Sequence, residues 1–153
     1  DLLNHLNGNT LCLFQLVEKH GKVLYERMKG KENVYFVYGA TSAEQREEIR
    51  GIVDNSASST TIASYGTFST GINIRNINNI VLASPSKSKI RVLQSIGRGL
   101  RTSSSKDSIL VFDIADDISY KGRYNFTLNH FFERLNIYNE EQFNYEISKV
   151  KIK

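Results

Sequence analysis

The chain has 153 residues, enough for one ordinary domain that buries about 70% of the surface of its unfolded form. With 40% hydrophobic and 24% charged residues it has the balance of a globular protein, and no apolar run approaches the roughly 18 residues of a membrane span. A net charge of +4 and a pI near 9.2 lean toward acidic partners without requiring them. The chain starts at Asp1 with no basic-then-apolar signal segment, which reads as a piece of a longer cytosolic (cytoplasmic) protein.

Residues 10–17 form a continuous apolar run, as expected of a strand buried on both faces in a parallel sheet, with the lone Cys12 as a core thiol. Val23, Leu24 and Met28 then recur at helical spacing over about 18–28, and Gly30 ends the pattern. Residues 33–38 read as a second strand. Ser42 and Gln45 have the spacing of a capping box for a helix reaching about Asn55. After a polar loop, 60–65 reads as a third strand, and 79–83 as a fourth after a loop rich in Gly, Ser, Thr and Asn.

A helix is predicted over about 89–101, and a fifth strand over 108–114. Leu128, Phe131, Phe132 and Leu135 make a core-facing stripe on a helix over about 125–139. Residues 143–147 and 150–153 alternate apolar and polar with one shift of phase, which predicts an edge strand guarded by lysines. Strands alternating with helices imply an α/β fold, with a mostly parallel sheet, right-handed crossovers and helices on both faces. One domain covers 1–153, with its core over about 10–117 and the closing helix and strand over about 125–152.

Three stretches carry candidate chemistry. In Gln94-Ser95-Ile96-Gly97-Arg98-Gly99-Leu100-Arg101, a turn of roughly 100° per residue puts Gln94, Arg98 and Arg101 on one face, and Leu93, Ile96 and Leu100 on the other. Glycine in a helix costs about 1 kcal/mol relative to alanine, so Gly97 and Gly99 suit a close approach to the backbone. Arginine's planar fork grips phosphate with two parallel hydrogen bonds. A solvated basic helix end is the competing reading.

The second stretch, 62–74, is a strand end running into small hydroxyl residues and glycine, a pattern that offers amides and hydroxyls to phosphate or simply faces solvent. The third, Ser86-Lys87-Ser88-Lys89 with Arg91, puts cations at a helix entrance, where they are unfavourable unless something anionic meets them. His5, His20 and His130 lack metal-ligand spacing, so no structural metal is expected. There is no G-x-x-x-x-G-K-[ST] loop and no D-E-x-D or D-E-x-H run, and Asp116-Asp117 is no substitute.

The run from Gln94 to Arg101 resembles the Q-x-x-G-R-x-x-R motif VI of superfamily 2 helicases and translocases, with matches at Gln94, Gly97, Arg98 and Arg101. Stretch 62–74 resembles their motif V, and 26 residues separate Gly71 from Gly97. Residues 11–14 look like motif IV, and Thr41 with Gln45 and Arg46 resembles the turn and helix start after the next strand. Within the superfamily, 63–72, 86–90 and 92–94 look most like phage enzymes that remodel junctions, stalled forks and R-loops.

The resemblance implies a RecA-like domain, the second of two, forming part of an ATP-dependent DNA helicase. Arg98 and Arg101 would be catalytic arginine fingers, while Gln94, Gly71, Asn73 and Gly97 would bind nucleotide. Ser64, Tyr65, Thr67, Thr41, Lys87, Lys89 and Arg91 would bind nucleic acid, although Tyr65 stands near a place where many members carry threonine. ATP and Mg2+ would be held mainly by an N-terminal RecA-like domain of the same protein, the fragment alone being inactive. The other partner would be branched DNA, with no membrane involved. Half of an RNA helicase, or a non-enzymatic α/β module that binds nucleotide or nucleic acid, stays open on the residues alone.

Overall fold

The computed structural model describes residues 2–70, 74–84, 97 and 108–151. Five strands, β1 (Asn9–Phe14), β2 (Val34–Val37), β3 (Ser59–Ser64), β4 (Asn79–Leu82) and β5 (Leu110–Asp113), form one sheet in the order β2-β3-β1-β4-β5. Every pairing is parallel: Cys12 lies opposite Ile62 on one side and Val81 on the other, Phe36 opposite Ile62, and Val81 opposite Phe112.

The side-chain period of a strand divides the core in two. Leu11, Leu13, Ala63, Ile80 and Leu82 face one layer with Val37 and Tyr65, against Ile49 and Val53 of helix α2 (Ala43–Asp54), Phe68 of α3 (Tyr65–Thr70) and Leu135 and Tyr138 of α4 (Phe126–Glu140). Cys12, Phe14, Ile62 and Val81 face the other layer, covered by Leu3, Leu6, Val17 and by Leu24, Tyr25 and Met28 around helix α1 (Lys22–Met28). The α/β fold is RecA-like, with helices on both faces of the sheet.

The expected strand over 10–17 stops at Phe14, because the chain turns at Leu16 into a π-helical turn, Val17–Gly21, that leads into α1. A Cβ on Gly21 would lie 2.4 Å from the Phe14 ring, so only glycine lets this turn rest on the core. The Ser42–Gln45 capping box is present in full, with Gln45 N donating to Ser42 Oγ at 3.2 Å and Ser42 N to Gln45 Oε1 at 3.3 Å.

Three expectations are corrected. The hydroxyl-rich stretch after β3 begins as a helix, α3, because Ser64 caps it (Thr67 N donates to Ser64 Oγ at 3.3 Å) and Phe68 is buried. Phe132 is exposed, since α4 turns Leu128, Arg134 and Tyr138 inward and leaves Phe132 against Tyr124. The C-terminal edge strand does not form among residues 141–151. Phe143 N donates to Tyr138 O at 2.9 Å and Tyr145 Oη to Asn139 Oδ1 at 2.9 Å, so this segment folds back on α4 rather than along the sheet. The predicted helix over 89–101 lies outside the described residues, apart from Gly97, which is helical.

A polar clasp closes the N-terminal edge of the sheet. Asn9 Nδ2 donates to Val53 O at 3.1 Å and Ser56 O at 2.9 Å, while Ser59 Oγ donates to Asn9 Oδ1 at 2.7 Å. Asp54 Oδ1 accepts from Arg75 N at 2.7 Å and Asn76 N at 3.3 Å, anchoring the chain as it returns toward β4. Both residues satisfy backbone groups that the ladders leave open.

Candidate nucleotide and nucleic-acid face

In a parallel sheet all strands end on one edge, and here β1 and β4 are neighbours whose connections leave in opposite directions: β1 leads toward β2, and β4 toward β5. Such a switch point opens a crevice at the carboxyl ends of the strands, where open α/β sheets hold ligands. Ser84, just past β4, fills its floor: its Oγ accepts from Gln15 N at 3.1 Å and is hydrogen-bonded to His20 Nδ1 at 3.0 Å. Tyr65 Oη donates to Ser84 O at 3.4 Å. The sequence does not mark Ser84 or His20 as parts of this face, because the bonds that bring Gln15 and His20 to Ser84 span 64 or more residues of chain.

Ser64, Tyr65 and Thr67 are brought together but face inward. Ser64 Oγ and Thr67 Oγ1 share a hydrogen bond of 2.7 Å, and the Tyr65 ring is in the core. Their side chains shape the start of α3. The exposed element between them is Gly66, with open space within 4 Å of where a Cβ would stand. Thr41 lies apart from this group, at the end of β2. Its Oγ1 accepts from Tyr38 N at 3.0 Å, and Arg46 Nε donates to Thr41 O at 2.9 Å, so it closes the turn that starts α2.

A buried ionic group supports the face from the β5 side. Arg134 Nε and Nη2 donate to Asp113 Oδ2 and Oδ1 at 2.7 and 2.6 Å, and Tyr138 Oη donates to Oδ2 at 2.6 Å. The Arg134 side chain is 1% exposed. Burial works against its charge, but the hydrogen bonds and negative charge of Asp113 outweigh that and hold its pKa above the ordinary value. Burial and the same carboxylate push the Tyr138 phenol well up, so it stays a donor. Tyr65 is within electrostatic reach of both residues, which links α4 and β5 to the start of α3. A lone acid ending an apolar strand, with an Arg and a Tyr four apart on a helix, is the sequence signal that could have found this group.

Gly97 has open space where a side chain would begin. Gly71, Asn73, Lys87, Lys89, Arg91, Gln94, Arg98 and Arg101 lie outside the described residues. Among the described residues, no three His, Cys, Asp or Glu side chains are grouped to hold a metal, and no helix is long and apolar enough to cross a membrane.

Residues 1–103 match the family described as the helicase conserved C-terminal domain. The chain belongs to that family. As a helicase C-terminal domain it is 36% identical, over 155 aligned residues, to the ATP-dependent DNA helicase uvsW of enterobacteria phage T4, an alignment covering 94% of this chain and 31% of that protein. The crystal structure of T4 UvsW superposes with a TM-score of 0.75 at 37% identity, over 94% of this chain and 31% of the other. The yeast DEAD-box splicing factor Prp28 (TM-score 0.61, 16% identity, 99% of this chain and 35% of that one) and domain 2 of the DEAD-box helicase Mss116p (TM-score 0.57, 16% identity, 72% and 43%) share the fold. This helicase C-terminal domain thus spans about a third of the length of its curated relative.

Proposed function

We propose that the chain, as a single domain over 1–153, is the second motor domain of an ATP-dependent superfamily 2 DNA helicase or translocase that remodels branched DNA. The observation that carries this reading is the 36% identity to the T4 DNA helicase uvsW across 94% of the chain. The Gln94, Gly97, Arg98 and Arg101 pattern adds the chemistry. Arg98 and Arg101 reach the nucleotide phosphates as arginine fingers, beside Gln94, Gly97, Gly71 and Asn73. Lys87, Lys89 and Arg91 hold the nucleic-acid backbone, and the Gly66 backbone, shaped by Ser64, Tyr65 and Thr67, continues that track.

The open space where a Cβ would stand at Gly66 and Gly97 fits the approach of phosphate, while the described residues offer no acidic site for magnesium. A preceding RecA-like domain of the same protein supplies most of the ATP and Mg2+ site. ATP hydrolysis would supply the free energy, and Mg2+ would neutralise charge on the phosphates; the part of this chain is to stabilise that charge further with guanidinium groups that cannot lose a proton.

The test measures ATP turnover of the intact motor with a four-way junction, a linear duplex and a structured RNA at one salt concentration. Greatest stimulation by the junction is expected, and stimulation by RNA alone overturns the assignment. Residues 1–153 by themselves are expected to show no turnover.

A further inference from the structure

Between β5 and α4 the chain projects a small hairpin from the same edge of the sheet. Tyr120 N donates to Arg123 O at 3.1 Å and Arg123 N to Tyr120 O at 3.0 Å, an isolated antiparallel bridge. The two residues at its tip, Lys121 and Gly122, have φ of 47° and 76°, the paired positive values of tight hairpin turns. Its base is fixed on the start of α4: Asn125 Nδ2 and Thr127 Oγ1 both donate to Asp116 O, at 2.8 and 3.0 Å, and Ile118 N donates to Asn125 Oδ1 at 3.2 Å. Tyr124 rests edge-on against Phe132 with ring centroids 5.3 Å apart.

This anchored hairpin holds its rings outward. Tyr120 is 72% exposed, Tyr124 60% and Phe126 68%. Burying one such ring is worth about 1.5–3 kcal/mol, so three exposed within seven residues mark a surface built to be covered. Cations interleave with the rings: Lys121 Nζ lies 5.3 Å from the Tyr120 centroid, and Arg123 follows the turn. The acids nearest in the chain are Asp116 and Asp117. Asp117 accepts from Ser119 N at 3.2 Å and feels the charge of Lys149, so the tip itself is basic.

Rigid exposed rings alternating with cations match unpaired nucleotides, whose bases stack on aromatic faces while their phosphates meet the positive charges. We infer that the hairpin over 118–126 is a stacking platform for single-stranded nucleic acid, with Tyr120 and Phe126 taking bases and Lys121 and Arg123 the flanking phosphates. This rests on the reading of the chain as part of a nucleic-acid motor. The hairpin leaves from the end of β5, so it extends outward the edge that carries Gly66 and Ser84.

The experiment uses the intact motor protein, a thymidine oligonucleotide and a blunt duplex, with binding followed by fluorescence anisotropy. Tyr120→Ala is expected to weaken oligonucleotide binding about 5- to 150-fold, the range of one lost stacking contact, and to leave duplex binding within about twofold. Tyr120→Phe should retain binding, and the Lys121→Ala, Arg123→Ala pair should lower the salt slope by about two. Photocrosslinking with 5-iodouracil in the oligonucleotide should label Tyr120 or Phe126. Unchanged oligonucleotide affinity in Tyr120→Ala, or crosslinks only elsewhere, overturns the inference while DNA-stimulated ATP turnover leaves the motor reading standing. A parent protein that binds neither DNA probe overturns both.

Discussion

Replacing Asp113 with alanine tests what fixes α4 against the sheet. The carboxylate receives two hydrogen bonds from Arg134, at 2.7 and 2.6 Å, and one from Tyr138 at 2.6 Å, and the Arg134 side chain is 1% exposed. Removing it leaves a guanidinium buried with its main counter-charge gone, a change that typically costs about 3–5 kcal/mol. For a domain whose whole stability is about 5–15 kcal/mol, that is a large fraction. At about 2–4 °C per kcal/mol for a chain of this size, the melting temperature should fall by roughly 6–20 °C.

Urea unfolding followed by circular dichroism would measure the change, with an unaltered m-value showing that the transition keeps its extent. The triple change Asp113→Leu, Arg134→Met, Tyr138→Phe removes every member of the group, and should return stability to within about 1 kcal/mol of the parent or above it. A cost for Asp113→Ala below about 1 kcal/mol would refute the reasoning, because the ion pair would then not be what holds the helix.

Arg98→Ala and Arg101→Ala in the intact motor should each lower ATP turnover by about 10³- to 10⁵-fold with unchanged far-ultraviolet circular dichroism, and Arg101→Lys should restore little, as steady-state assays at saturating ATP and DNA would show. Gly21→Ala drives a methyl group into the Phe14 ring, so chemical denaturation should reveal a loss of about 1–3 kcal/mol. The fully buried Cys12 thiol has its pKa pushed up from 9.0 to about 12, so native protein at pH 8 should resist a thiol reagent until urea opens the core. Because the folded-state pKa is the higher one, the thiol's contribution to stability is complete below pH 9.0 and declines as pH rises toward about 12; a Cys12→Ala variant should show a weaker alkaline decline in urea titrations.

The parallel sheet was legible because a strand buried on both faces needs apolar residues almost throughout, as 10–14 and 79–82 show. The start of α2 was legible because a capping box is local chemistry, complete within four residues. Helix α3 was hidden: glycine, threonine and serine favour a loop, and only the tertiary burial of Tyr65 and Phe68 decides otherwise. The site divides in the same way. The Gln94 to Arg101 pattern declares itself by spacing, whereas the floor under Ser84 and the Asp113, Arg134 and Tyr138 group exist only once distant segments meet. Phe132 and the expected final strand show the limit of periodicity, which marks an amphipathic segment without saying which neighbour will cover it.

The position of β1 in the middle of the sheet has a consequence for how the protein is made. Its ladder partners come late in the chain: Asn9 pairs with Ser59, 50 residues on, and Thr10 with Asn79, 69 residues on. At synthesis rates of about 5–20 residues per second, the first strand leaves the ribosome roughly 3–10 s before β3 and 3–14 s before β4. During that interval Leu11, Cys12, Leu13 and Phe14, all buried in the finished fold, have neither flank of their ladder. Early packing can come from near neighbours in the chain, Leu3 and Leu6, the turn at Val17–Gly21 and α1 against Phe14, so this half of one layer is the natural place for the nascent chain to gather first. A chaperone that binds short apolar segments would therefore find its first target here, and would lose it when Ser59 to Ser64 emerges and zips alongside.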